Sequence, residues 1–129
     1  GSYKDGRAYG NWVYYHENGK VKEKGKYNAN NYKVGLWQTY YENGALESEG
    51  KRDSDGLEEG LWKYYHDNQQ VYSSGKFNEG VQYGKWNLYY KNGQLAAQGM
   101  FDDEGYEVGD WNFFDKKGNA IDEIDFEMD

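Results

Sequence analysis

Cysteine and proline are both missing from these 129 residues, and histidine occurs only twice. Without cysteine there are no disulfides, no thiolate metal ligands and no thiol chemistry. His16 and His66 leave little material for a His-based triad or dyad, and no Gly-x-Ser-x-Gly elbow is present. Long apolar runs are missing too, since none approaches the ~20 residues of a spanning helix. Hydrophobic residues make up 36% of the chain and the mean hydropathy is −1.24, so a thick apolar core is not expected. Runs of basic residues are also absent. The net charge is −8. A surface of that sign repels phosphate backbones and anionic headgroups, so binding to nucleic acid or to an anionic membrane is not expected.

What the chain has in abundance is aromatic side chains: 15 Tyr, 5 Trp and 5 Phe, or 19%. Disordered chains are poor in such residues. Each ring can bury roughly 150–250 Å², so stability is expected from flat rings lying on a pleated surface.

The aromatics recur with a period. Trp12, Trp37, Trp62, Trp86 and Trp111 are 24 or 25 residues apart, and a glycine precedes each by two positions: Gly10, Gly35, Gly60, Gly84 and Gly109. Three positions after each Trp stands Tyr15, Tyr40, Tyr65, Tyr89 or Phe114. A second glycine series runs through Gly25, Gly50, Gly75 and Gly99. A fixed period of this size marks a repeat array. The units read as 10–34, 35–59, 60–83, 84–108 and 109–129, the last a C-terminal cap. Residues 1–9 read as the tail of a preceding repeat or a cloning scar, because Gly1-Ser2 lacks a leading Met and Tyr3-Lys4-Asp5-Gly6 resembles Phe77-Asn78-Glu79-Gly80. A signal peptide or lipid anchor removed upstream would leave the same start, and the compartment stays open.

Each unit reads as a β-hairpin. Asn18-Gly19, Asn43-Gly44 and Asn92-Gly93 have the composition of two-residue turns with φ > 0 at both positions. Asn68-Gln69 is a weaker copy, and Lys117-Gly118 is the last. A two-residue turn dictates the cross-strand partners. Trp12 then faces Gly25, Trp37 faces Gly50, Trp62 faces Gly75 and Trp86 faces Gly99, with each ring expected to lie over the glycine it faces. His16 faces Val21. Trp111 faces Ile124, and Gly109 faces Phe126. Turn signals at Asp55-Gly56, Glu79-Gly80 and Glu104-Gly105 join the hairpins. The fold class expected is therefore all-β: an elongated single-layer antiparallel meander of about five hairpins and ten or eleven strands. At ~4.8 Å per strand it would be roughly 50 Å long.

Alternation places the Trp residues and the aliphatics Val21, Leu46, Val71, Leu95 and Ala120 on one packed face. Tyr15, Tyr40, Tyr65, Tyr89 and Phe114 fall on the other, with Lys22, Glu47, Tyr72, Ala96 and Ile121 as partners. This row, with Tyr72, is the candidate binding face. Two readings stay open: the rings stiffen a single-layer sheet, or they line a groove for a partner. The two histidines read as surface residues near the hairpin tips, about 19 Å apart, too far to share a metal. Asp53-Ser54-Asp55-Gly56 and Asp102-Asp103-Glu104-Gly105 lack the spacing of a calcium loop and read as solvated turns. No metal, cofactor or catalytic residue is expected.

The string Gly35-Leu36-Trp37 to Tyr40-Tyr41-Glu42-Asn43-Gly44-Ala45-Leu46, repeated from Gly84-Lys85-Trp86 to Asn92-Gly93, resembles the bacterial variant of the MORN repeat. Such chains are often labelled YwqK-type antitoxins. The resemblance covers residues 3 to about 119. It implies an elongated array of hairpins serving protein–protein contact, and no catalytic residues come with it. Choline-binding cell-wall repeats are similar in combining Gly-Trp, Tyr-Tyr and Asn-Gly, but their period is shorter than the 24–25 found here. The expected function is a non-enzymatic scaffold that contacts another protein or a second copy of itself as a homodimer. The alternative is a carbohydrate or cell-wall ligand module that stacks its ligand on the aromatic face.

Overall fold

The computed structural model describes residues 1–128. Eleven strands lie in one sheet in sequence order, every neighbouring pair antiparallel. They are β1 (Ser2–Lys4), β2 (Arg7–Tyr15), β3 (Val21–Tyr27), β4 (Lys33–Tyr40), β5 (Leu46–Arg52), β6 (Glu58–Tyr65), β7 (Val71–Asn78), β8 (Val81–Tyr89), β9 (Leu95–Phe101), β10 (Glu107–Phe114) and β11 (Ala120–Ile121). A 3₁₀ turn over Glu123–Asp125 follows. The fold is the all-β meander expected from the repeat.

The hairpin tips differ from expectation. His16 N–H donates to the Lys20 carbonyl and Gly19 N–H to that of His16. Gly19 has φ +87°, whereas Asn18 is not left-handed. The loop is therefore three residues long, a type I turn closed by one left-handed residue. The same bonds recur at Tyr41–Ala45, His66–Gln70, Tyr90–Gln94 and Asp115–Asn119. Asparagine is used here for its side chain. Asn18 Oδ1 accepts from Lys20 N–H at 2.9 Å, while Nδ2 donates to the Glu42 carbonyl of the next tip at 2.7 Å. Asn68 and Asn92 reach Lys91 and Lys116 in the same way, both at 3.0 Å.

The longer loop shifts the register by one, and a bulge shifts it back. Tyr15 pairs with Val21, but Tyr14 pairs with Glu23, leaving Lys22 as the extra residue. Tyr40 pairs with Leu46, Tyr65 with Val71 and Tyr89 with Leu95 by the same device. The Trp12–Gly25, Trp37–Gly50, Trp62–Gly75 and Trp86–Gly99 partnerships survive because the two offsets cancel. In the last unit the pairing stops at Phe113–Ile121 and Phe114–Ala120. Trp111 and Gly109 thus face neither Ile124 nor Phe126. Ile124 is 90% exposed on the 3₁₀ turn, and Phe126 packs on Phe113, 4.8 Å between centroids.

The role of Gly-x-Trp is also different. Between β3 and β4 the register moves from Lys24–Gln38 to Lys26–Val34. One residue, Gly25, is opposed by three: Gly35, Leu36 and Trp37. Gly35 takes φ +68° to open this bulge, and a methyl group placed there would touch nothing within 4 Å. The bulge folds Trp37 back over Gly25 of the preceding hairpin. A methyl group on Gly25 would lie 2.2 Å from Trp37 Cδ2. Gly50 is covered in this way by Trp62, Gly75 by Trp86 and Gly99 by Trp111. The indole N–H groups of Trp37, Trp62 and Trp86 donate to the carbonyls of Lys26, Lys51 and Lys76. The ring therefore covers the glycine of the preceding unit, and the motif is a staple between repeats.

Consecutive strands from β1 to β10 each add one planar group to a spine on this face. Tyr3, Trp12, Tyr27 and Trp37 meet edge to face, as do Trp62, Phe77, Trp86, Phe101 and Trp111, with centroids 5.1–6.4 Å apart. Arg52 fills the gap, its guanidinium 5.3 Å from the Trp62 ring. Trp37, Trp62 and Trp86 are the deeply buried residues of this spine.

Candidate functional site

Register divides the side chains of β2 to β10 between two faces. The Trp face is committed to cohesion. Beyond the spine, His16 and His66 ring nitrogens bond the carbonyls of Tyr40 and Tyr89 at 2.8 and 2.7 Å. The Tyr41 and Tyr90 hydroxyls donate to the carbonyls of Tyr65 and Phe114. Every hairpin thus caps a backbone group of the next. His66 is buried and stacked on Tyr72 at 5.0 Å, so it is a framework residue and not the exposed one expected. Burial raises the Tyr41 hydroxyl above the usual range, with Glu47 adding to it. Burial does the same at Tyr64, where Glu58 adds and Arg52 opposes. Tyr27 is raised furthest, by burial and then by its bond to Tyr14. Among the described residues no group of three His, Asp or Glu converges as metal ligands.

The opposite face carries the predicted row. Tyr15 is 62% exposed, and Tyr40, Tyr65, Tyr89 and Phe114 are half-buried. Their neighbours are not those expected. The bulge brings Val21, Leu46, Val71 and Leu95 to the tyrosine side as direct partners, with Ala120 opposite Phe114. It sends the predicted partners the other way. Glu47 reaches Thr39 at 3.1 Å, and Tyr72 stacks on His66. Tyr72 therefore leaves the candidate face and joins the framework. Aliphatic partners at all four tyrosines make this face more apolar than the mixed set expected, which included Lys22 and Glu47. Burial also raises the Tyr65 hydroxyl, with Glu49 adding to it.

Sequence reasoning missed the second row on this face. Leu36 pairs with Lys51, Leu61 with Lys76 and Met100 with Lys85. Leu36, Leu61 and Met100 are about half exposed, at 50%, 51% and 48%. Leu36, Glu49, Lys51, Glu59, Leu61 and Lys63 line a single depression. From β3 to β8 the face carries six lysines (24, 26, 51, 63, 76 and 85) against two carboxylates, Glu49 and Glu59. The signal was present in Gly25-Lys26, Gly50-Lys51 and Gly75-Lys76, where lysine follows the second glycine of three units.

Three stretches of the chain, 8–29, 33–52 and 82–103, match the family model of the MORN repeat variant. Each of these three stretches resembles a MORN-type repeat. The first two matched stretches run through the Gly-x-Trp bulge and the hairpin tip into the second strand, and the third does so around Trp86. No curated protein matches the chain significantly. MORN repeats generally serve as scaffolds for contact with proteins or membranes and are typically non-enzymatic.

Proposed function

We propose that this chain is a non-enzymatic MORN-type scaffold whose tyrosine-bearing face binds protein. The observation that carries the reading is the division of labour between the faces. The Trp face spends its rings, histidines and hydroxyls on bonds between hairpins. The tyrosine face leaves Tyr15, Leu36, Leu61, Met100 and Val108 substantially exposed without an internal partner element. Exposed apolar and tyrosine side chains rimmed by charge are the composition of an interface.

Replacing Tyr40 and Tyr65 together by serine tests this. The double variant is expected to keep its far-ultraviolet circular dichroism and to lose the proteins that co-purify with the parent from its native cell. An unchanged set of co-purifying proteins on a folded double variant would overturn the reading.

A further inference from the structure

The fifth hairpin is incomplete along one edge. In the first four, the opening strand is paired from its bulge glycine to its tip, as from Gly10 to Tyr15 on β3 and from Gly84 to Tyr89 on β9. In the fifth, only Phe113 and Phe114 find partners in β11. The tip bond from Asp115 N–H to the Asn119 carbonyl sets the alternation. Two residues at a time back from it, Phe113, Trp111 and Gly109 turn their backbone N–H and C=O groups toward the side that the short β11 leaves open. Among the described residues no strand pairs with 109–112 on that side. An unpaired edge of this kind is a template for another strand, and a cleft of about 720 Å³ runs along it.

The residues that follow β11 are the wrong strand for this edge. In the register of the other hairpins Ile124 would face Trp111, Asp125 would face Asp110 and Phe126 would face Gly109. Asp125 would then set a carboxylate directly across from Asp110, a destabilising like-charge pair. Lys26, Lys51 and Lys76 hold the equivalent position in the first three hairpins, across from Asn11, Leu36 and Leu61. Residues 122–126 instead leave the sheet through the 3₁₀ turn, and Phe126 packs on Phe113. Trp111 therefore lacks a ring that its counterparts have. Trp12, Trp62 and Trp86 meet Tyr27, Phe77 and Phe101 of their own hairpins edge to face, with centroids 6.1–6.4 Å apart. Glu107, Asp110, Asp122 and Glu123 line the cleft, and among the described residues no lysine or arginine does.

We propose that the free edge of β10 takes up an extended segment of another protein, which adds as the missing antiparallel strand. The segment carries a lysine or arginine followed directly by an aromatic residue. The basic side chain faces Asp110, and the ring takes the open place beside Trp111 on the other face of the sheet. Main-chain hydrogen bonds to Gly109 and Trp111 supply affinity for any extended chain, and the two side chains select among them. A basic segment also suits its surroundings, since residues 102–129 hold eleven carboxylates against two lysines. The site lies on the sheet edge and is separate from the tyrosine-bearing face.

A synthetic peptide with the sequence of β7, residues 71–78, is the probe, because it carries Lys76 and Phe77 in the required order. Anisotropy of the labelled peptide should show saturable binding to the full chain. Hydrogen exchange should slow at Gly109 and Trp111 and not at β1, the opposite edge of the sheet. Methylating the peptide nitrogens of Gly75 and Phe77, which face β10, should abolish binding, whereas methylating those of Ser74 and Lys76, which face away, should not. Asp110→Lys in the chain should weaken binding about tenfold, and Lys76→Glu in the peptide should restore it. The fourth hairpin already carries a lysine at this position, Lys85, and circular dichroism verifies that the variant is folded. The Tyr40/Tyr65 double serine variant should bind the peptide as the parent does, so this site and the tyrosine-bearing face are tested separately. A folded chain that does not bind, an Asp110→Lys variant of unchanged affinity, a charge swap that restores nothing, or binding lost in the Tyr40/Tyr65 variant would overturn the proposal. So would a free chain whose Gly109 and Trp111 amides are already protected, whether by its own residues 122–126 or by a second copy.

Discussion

At the scale of single residues, the two glycine series have different physical reasons. Gly35 and its equivalents supply a left-handed φ with open space around them. Alanine at Gly35 pays the left-handed penalty, about 1–2 kcal/mol. Gly50 supplies an absent side chain, because a methyl group there would lie 2.0 Å from Trp62 Cδ2. Gly50→Ala forces the ring out of its place and is expected to cost about 3 kcal/mol. Urea midpoints of the two variants should rank in that order. Tyrosines supply a second test. Burial raises the hydroxyls of Tyr27, Tyr41, Tyr64 and Tyr65 above their unfolded value of 10.0. Their contribution is fully present below that value and is lost as pH rises through the raised folded values, because the unfolded chain releases the protons first. Stability should be flat between pH 7 and 9 and fall above about pH 10. Ultraviolet absorbance should show a subset of tyrosinates forming late.

At the scale of elements, the hairpin is not self-sufficient. Its Trp covers the preceding unit, and its His or Tyr and its Asn cap the carbonyls of the following tip. Stability therefore resides in the contacts between neighbouring repeats. Those contacts are densest where Trp62, Phe77 and Trp86 pack together. Amide exchange is expected to be slowest in β6 to β8 and fastest in β1 and β2, where Trp12 is less buried. Uniform exchange would show that the repeats unfold as one block. The strand count, the meander order and the Trp–Gly register were legible in the sequence, since each follows from a period of 24–25 and from turn residues. The face assignments near the tips were not. Asn-Gly suits both a two-residue and a three-residue loop, and the bulge that separates them leaves no residue-type signature: its extra residue is Lys22, Glu47, Tyr72 or Ala96. The aliphatics and Tyr72 consequently exchanged sides. The lysine strip was hidden for another reason. A net charge summed over the chain conceals a face of the opposite sign, so the expectation of an entirely acid surface came from the total rather than from its distribution.

For the whole molecule, a single-layer sheet has no interior into which to retire a face. One side became the core by folding indoles over glycines, and the other stayed available. Its tyrosine–aliphatic ladder and its lysine–leucine strip run side by side across β3 to β8, an arrangement suited to an extended or broad partner surface. The repeat gives such a surface length, a geometry that suits the scaffold role proposed above. The most direct measurement is a comparison of a photoreactive side chain placed at Tyr65 with one placed at Tyr72. These two residues are close in sequence but turned to opposite faces, and each variant is irradiated in the native cell. Cross-links to protein from position 65 and none from position 72 are expected. Equal cross-linking from both, or cross-linking from position 72 alone, would contradict the assignment of the tyrosine-bearing face as the binding surface.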